Sequence, residues 1–421
     1  MGAEILLLIL LMSIAGALLG TFTGLVPGIH VNTLATVLLT SYPALYVVVS
    51  GFAEPGTVPV LISACIMSAS VVHSFMDFIP SVFIGAPDAD EALTMLPGHR
   101  MLMNGEGMAA VRAAAIGSAV GALSAMALAI PIQYIMLNGA AEIMDHITLY
   151  VVLFVSVVII FSAEKFDGKI LALLLFIISG ALGVVCDMNI LSNGLFGKGT
   201  LLFPLLSGLF GVPPLLRSVG NKGAPEQYDS EEDPVSPLPG LRGVLTGCVA
   251  GWFPGITATA GAALSASICR EEKPENFISL VASIGTVTSV FSLVTLSVTG
   301  SGRSGTSSVI KEIIGDGLKG FCSEAFLLLL MTICIASAFG YVMTIVVGRG
   351  MSTIVDRIDP YKMSVGALIL LISLVAVMTG LGGLTVLAIA TLVGLIPQYA
   401  GTSRIPLTGC LLIPVILSGF L

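Results

Sequence analysis

Long apolar runs alternate along this chain with short polar segments, and the runs are of membrane length. No Asp, Glu, Lys or Arg stands between Glu4 and Glu54. Further charge-free runs cover Ala113–Ala141, Gly243–Cys269, Phe277–Gly302, Ala325–Gly348 and Met363–Ser403. A helix crosses a bilayer with about twenty apolar residues, so the longest runs hold two passes each, divided at Pro-Gly or Pro. Apolar and polar positions do not alternate within the runs, as the strands of a membrane barrel require. The pattern predicts an all-α integral membrane protein with about 10–12 transmembrane helices. The start, Met1-Gly2-Ala3-Glu4, has no basic segment and no nearby small-residue cleavage site, so the first helix is expected to be retained.

One long polar stretch breaks the pattern. Residues 217–240 carry Glu226, Asp229, Glu231, Glu232 and Asp233 among Pro225, Pro234, Pro237 and Pro239. Five carboxylates cannot sit in hydrocarbon, and the prolines prevent a regular helix. This linker divides the chain into a first membrane repeat, 1–216, and a second, 241–421. The halves share a motif: Gly20-Thr21-Phe22-Thr23-Gly24-Leu25-Val26-Pro27-Gly28-Ile29 matches Gly247-Cys248-Val249-Ala250-Gly251-Trp252-Phe253-Pro254-Gly255-Ile256 as GxxxGxxPGI, shifted by 227 positions. Each half then has a glycine-rich polar patch, Gly85–Glu91 and Gly300–Gly305. Internal repeats with paired Gly/Pro-interrupted segments are the signature of secondary transporters, whose substrate sites lie where helices break near the membrane midplane. The two halves are expected to be inverted relative to each other, with broken or re-entrant helices.

Composition agrees with a lipid environment: 56% of the 421 residues are hydrophobic and 10% charged, against about a quarter charged in soluble domains. The seven Cys are dispersed without CxxC spacing, which excludes a zinc site or disulfide framework. A net charge of −8 gives no reason to expect nucleic acid as a partner. No metal or cofactor is expected beyond H⁺ or Na⁺ as a coupling ion, and no catalytic set converges, since only His99 stands near Asp88–Glu91.

The candidate substrate site follows from the breaks. A helix stopped at Pro27-Gly28 or Pro254-Gly255 leaves free carbonyls, and the next helix begins with free amides and a positive dipole end. His30, Asn32 and Thr33 follow the first break, and Thr257 and Thr259 the second. Gly85 and Asp88 in the first patch, and Gly300, Gly302, Arg303, Ser304 and Gly305 in the second, complete the set. Gly300–Gly305 spells GxGxxG, but a dinucleotide fingerprint needs a strand before it, and an apolar helical run precedes it here. Arg303 is the one cation of that patch, and its planar fork suits carboxylate or phosphate. The competing reading is a side chain snorkelling to a headgroup. His73 and Asp77, four apart on one helix face within an apolar segment, are the candidate ion-coupling pair. A mutually satisfied structural pair is the alternative. The spacings Gly16–Gly20–Gly24, Gly117–Gly121 and Gly247–Gly251 read as helix-packing devices.

These residues resemble a known family. Gly16–Ile29, the segment Phe83–Gly121 with Asn104-Gly105-Glu106 and Gly117–Gly121, Ser207–Gly211 and Trp252–Gly255 are similar to the large membrane subunit of the tripartite tricarboxylate transporters. The resemblance implies a carboxylate-class organic anion as substrate, a small membrane subunit and an extracytoplasmic binding protein as partners, and a cell-membrane location. Ala86-Pro87-Asp88, Pro97-Gly98 and the Arg303 patch without Pro depart from the family pattern and imply a divergent, archaeal-type branch. The paired Pro-Gly repeat also resembles families that move polyprenyl phosphates. A lipid-linked phosphate translocase is therefore the alternative, and a membrane-embedded lipid enzyme a third reading.

Overall fold

The computed structural model describes residues 3–26, 29, 31–84, 95–163, 165–188, 193–195, 201–218, 225–228, 236–253, 258, 261–262, 265, 273–357 and 359–420. Among these residues the protein is built from helices. They are α1 (Ala3–Leu25), α2 (Val31–Thr40), α3 (Tyr42–Val49), α4 (Val58–Met76), α5 (Phe78–Ile84), α6 (Met95–Met103), α7 (Gly107–Ile135), α8 (Ala141–Phe161) and α9 (Phe166–Asp187). Then come α10 (Leu202–Leu206), α11 (Val212–Ser218), α12 (Leu238–Trp252), α13 (Pro274–Thr299), α14 (Gly305–Ile314), α15 (Glu324–Ser352), α16 (Pro360–Ala400) and α17 (Gly409–Phe420).

Seven continuous stretches are long and apolar enough to cross a membrane, or up to eight if the α2–α3 pair, bent by 72°, is one span. The run Gly107–Phe161 has 55 residues, about 80 Å of helix against a hydrocarbon core of about 30 Å. It is interrupted where Asn138 and Gly139 leave helical geometry, Gly139 at φ 109°. The 41-residue α16 is likewise interrupted at Gly380, φ 64°, ψ −155°. Those two positive-φ glycines do what Pro-Gly was expected to do elsewhere.

Burial sets the layering. The membrane-length window is 83% buried in α4 with α5 and 78% buried in α13, but only 28% buried in α1. So α4 and α13 are the protein-enclosed centre, and the flanking helices keep apolar faces outward. Small residues let the backbones meet. A Cβ on Gly16 would lie 2.0 Å from the Cys65 carbonyl oxygen, and one on Gly20 2.4 Å from that of Ala69, on α4. At the positions shifted by 227, a Cβ on Gly243 would lie 2.6 Å from the Leu280 carbonyl oxygen and one on Gly247 2.6 Å from Val287 Cβ, on α13. Gly117 and Gly121 of α7 meet Ser279 and Ser283 of α13 in the same way.

The long helices also cross between the halves of the sequence: α7 packs on α13, and α15 packs on α4. Gln133, fully buried on α7, secures the first crossing by donating to Ser297 Oγ at 2.9 Å and accepting from the Cys322 amide at 3.1 Å. Thr344 of α15 donates to the Phe75 carbonyl of α4 at 3.1 Å. Buried hydroxyls on α13 turn back to their own helix, Thr286 to Ala282 and Thr295 to Phe291, which satisfies them without water.

Of the polar linker, residues 225–228 dock on the α6–α7 turn. The Tyr228 amide donates to the Gly105 carbonyl at 2.7 Å, and Gln227 accepts from the Gly107 amide and donates to the Leu102 carbonyl. Asp229, Glu231, Glu232 and Asp233 lie outside the described residues.

Candidate functional site

The first half supplies Asn32, in the first turn of α2. The second half supplies the turn between α13 and α14. Gly300 ends α13 in the left-handed region at φ 66°, which reverses the chain. Ser304 caps α14: its hydroxyl accepts from the Ser307 amide while the Ser307 hydroxyl accepts from the Ser304 amide. Helix α14 packs on α2 and α4. The Thr306 amide and hydroxyl both donate to Asn32 Oδ1, at 3.0 and 2.9 Å. A Cβ on Gly305 would lie 2.8 Å from Asn32 Cγ, so only glycine allows this approach. The post-break helix of the first half and the glycine patch of the second therefore meet.

Two amides of the patch turn are engaged within the protein. The Thr306 and Ser307 amides are already satisfied by Asn32 and Ser304. Arg303, by contrast, is committed to one weak partner: its Nη2 lies 3.6 Å from Asp145 Oδ1, with the Arg303 side chain 18% and the Asp145 side chain 56% exposed. Its Nε is buried without a hydrogen-bond partner. Burial lowers the guanidinium pKa from its ordinary value, and the Asp145 carboxylate partly opposes that. Asp145 sits on α8, six residues past the Gly139 break. Another buried donor, the Trp252 indole N–H, has no partner at the end of α12 before Pro254-Gly255.

His73 and Asp77 are both buried, at 4% and 7% exposure, near the C-terminal end of α4. Thr23 of α1 stands 3.0 Å from His73 Nδ1 and donates to the Gly20 carbonyl at 3.2 Å. On the other side of the ring, His73 Nε2 faces Asp77 Oδ2 at 4.0 Å. That distance is an ion-pair contact beyond direct hydrogen-bond reach. Gly24 of the shared motif packs against Met76, one residue before Asp77.

The structure thus brings together Asn32, Gly305 and Ser304, with Arg303 on the same turn, Thr33 buried on α2, and Gly302 folded against Ser308. The remaining sequence-derived positions Pro27, Gly28, His30, Gly85, Asp88, Pro254, Gly255, Thr257 and Thr259 lie outside the described residues. Sequence reasoning did not find Thr306 or Asp145. The signal for Asp145 was available: it stands with Glu142 and His146 directly after the Asn138-Gly139 turn.

No solved structure matches the chain. It is 28% identical over 315 residues, 72% of either chain, to an uncharacterized protein of Methanocaldococcus jannaschii. Residues 10–409 match the family described as "Tripartite tricarboxylate transporter TctA family". With that match across nearly its whole length, in a multi-pass helical architecture, the chain belongs to the TctA family and is a transporter component, not an enzyme.

Proposed function

We propose that this chain forms the translocation path for an organic anion of the carboxylate class, coupled to H⁺ or Na⁺, and that it works with a small membrane subunit and an extracytoplasmic binding protein. The observation that carries the reading is the Asn32–Thr306 contact, because it joins the two motifs that the sequence repeats. The anion would meet Arg303, whose Nε lacks a partner and whose single carboxylate contact is half exposed. Thr23, His73 and Asp77 stand together where the ends of α1 and α4 meet and are the groups proposed to carry the proton if H⁺ is the coupling ion. We further propose that 1–216 and 241–421 are inverted repeats. The matched use of Gly16 and Gly20 on α4, and of Gly243 and Gly247 on α13, supports this, as do the reciprocal α7–α13 and α15–α4 crossings.

Reconstituted protein with its subunits, assayed for uptake of a panel of di- and tricarboxylates under H⁺ or Na⁺ gradients, tests the reading. Uptake of at least one carboxylate, lost in Asn32→Ala, is expected. Absence of carboxylate uptake with retained movement of a polyprenyl phosphate would favour the translocase instead.

A further inference from the structure

A second cluster of unmet donors lies away from this site, at the far end of α16. Helices α10 and α11 run alongside the part of α16 that follows Gly380, in the same direction. A Cβ on Gly208 would lie 2.7 Å from the Leu387 carbonyl oxygen and 2.6 Å from Ala390 Cβ, and one on Gly394 would lie 2.8 Å from Pro213 Cγ. Arg217 lies one turn beyond Pro213 on α11, and α16 ends at Gly401, φ 66°. Arg404 follows three residues later. The two guanidiniums are close enough to repel: burial, then the Arg217 charge, push the Arg404 pKa down to about 10. Two further buried polar atoms in this stretch, Gln398 Nε2 and Thr402 Oγ1, have no hydrogen-bond partner. Among the described residues no carboxylate pairs with either arginine.

Two cations and two unpaired polar groups, with no carboxylate paired to them among the described residues, are an unfinished arrangement. Burying a charge or a donor without a partner is costly, and like charges held together add to that cost. An anion with several acceptor oxygens resolves both, since each guanidinium fork can bind two of them. The position suits such a ligand. Tyr399, 86% exposed at the helix end, is the kind of aromatic that sits at the membrane–water boundary, where basic pockets between helices take lipid headgroups.

We propose that Arg217, Gln398, Thr402 and Arg404 form a binding site for a phosphate-class anion at this membrane boundary, supplied by a lipid headgroup or by free phosphate. The site is independent of the transport reading above. It is tested on the purified full-length protein in nanodiscs of phosphatidylcholine, with either phosphatidylglycerol in the disc or inorganic phosphate in the buffer, by the thermal unfolding midpoint at low and high salt. The wild type should be stabilised by at least one probe, and Arg217→Gln and Arg404→Gln should each weaken the apparent affinity about tenfold. Gln398→Leu should weaken it too, which distinguishes a built site from diffuse surface charge. A response to phosphatidylglycerol alone assigns the lipid, and a response to phosphate assigns the free ion. Arg217 is exposed, so its variant carries the test if Arg404→Gln fails to fold. A wild type silent to both probes overturns the proposal, as does an undiminished response in the Gln variants. A response that emerges only when Asp229, Glu231, Glu232 and Asp233 are neutralised also overturns it, because those carboxylates would then be the resident counter-ions.

Discussion

At the scale of single residues, Arg303 and Asp145 set a competition. A substrate carboxylate that binds Arg303 must displace or share the Asp145 contact at 3.6 Å. Arg303→Ala should weaken substrate binding by about 1.5–3 kcal/mol, or roughly ten- to a hundredfold. Arg303→Lys should fall between, since it keeps the charge but not the fork. Asp145→Asn should tighten binding, by a few-fold only because the carboxylate is half exposed and screened. Equilibrium binding to the four proteins in liposomes checks the order, and equal affinity in all four removes Arg303 from the site. For the buried pair, Asp77→Asn should leave the protein folded but abolish the pH dependence of uptake. Normal pH-dependent uptake in that variant would leave His73 and Asp77 a structural pair. His73, Asp77, Asn32 and Arg303 were legible because a polar residue in a charge-free run stands out. Asp145 carried a signal in its polar cluster with Glu142 and His146, but only the fold shows that it faces Arg303.

Elements are defined here as much by glycine as by apolar periodicity. Along α1 and α12 the glycines mark the faces that touch α4 and α13, and these were legible as GxxxG spacings. Gly20→Leu and Gly247→Leu should each destabilise by about 1–3 kcal/mol or more, since the added atoms meet backbone or Val287 Cβ at 2.4–2.6 Å. Gly285, within α13 and with nothing inside 4 Å of an added Cβ, is the control. Its change to Ala should be neutral or stabilising by up to about 1 kcal/mol. Unfolding midpoints in detergent compare the three. The break in α16 was not legible, because Gly380, Gly382 and Gly383 stand in an apolar run with no proline and read as packing residues. Only the fold shows Asn193–Leu195 inserted against it, with the Leu195 amide donating to the Val377 carbonyl at 2.8 Å. That bond satisfies a carbonyl freed by the break. Gly380→Ala should disrupt this element, because the backbone there is left-handed and its Cβ would fall 2.2 Å from the Asn193 carbonyl oxygen. A protein with unchanged midpoint and uptake after this substitution would show that the break relaxes freely.

For the whole molecule, the reciprocal crossings decide what the polar linker must do. Helix α13 is the most enclosed helix of the second half, yet one of its walls is α7, from the first. Without α7, Ser279 and Ser283 would lose the protein wall that Gly117 and Gly121 provide, and Gln133 could not reach Ser297. The same holds for α4 without α15, where His73 and Asp77 would lose part of the enclosure that keeps them from lipid. The halves therefore need each other, but the covalent link between them needs only to reach. The linker's polar composition was legible, and it predicts an extramembrane position. Its docking through Gln227 and Tyr228 was not, because those bonds go to backbone groups of the Gly105 turn. Cutting the chain between Glu231 and Glu232, beyond the docked residues, and co-expressing 1–231 with 232–421 should give a complex that co-purifies and transports. Either fragment alone should be degraded or aggregated, and a soluble tag inserted at the same point should be tolerated. If each fragment alone is stable and monodisperse in the membrane, the interlocked core is not what holds the molecule together. If the co-expressed fragments never associate, the linker does more than connect, and Gln227→Ala with Tyr228→Ala in the intact chain should then reproduce the defect.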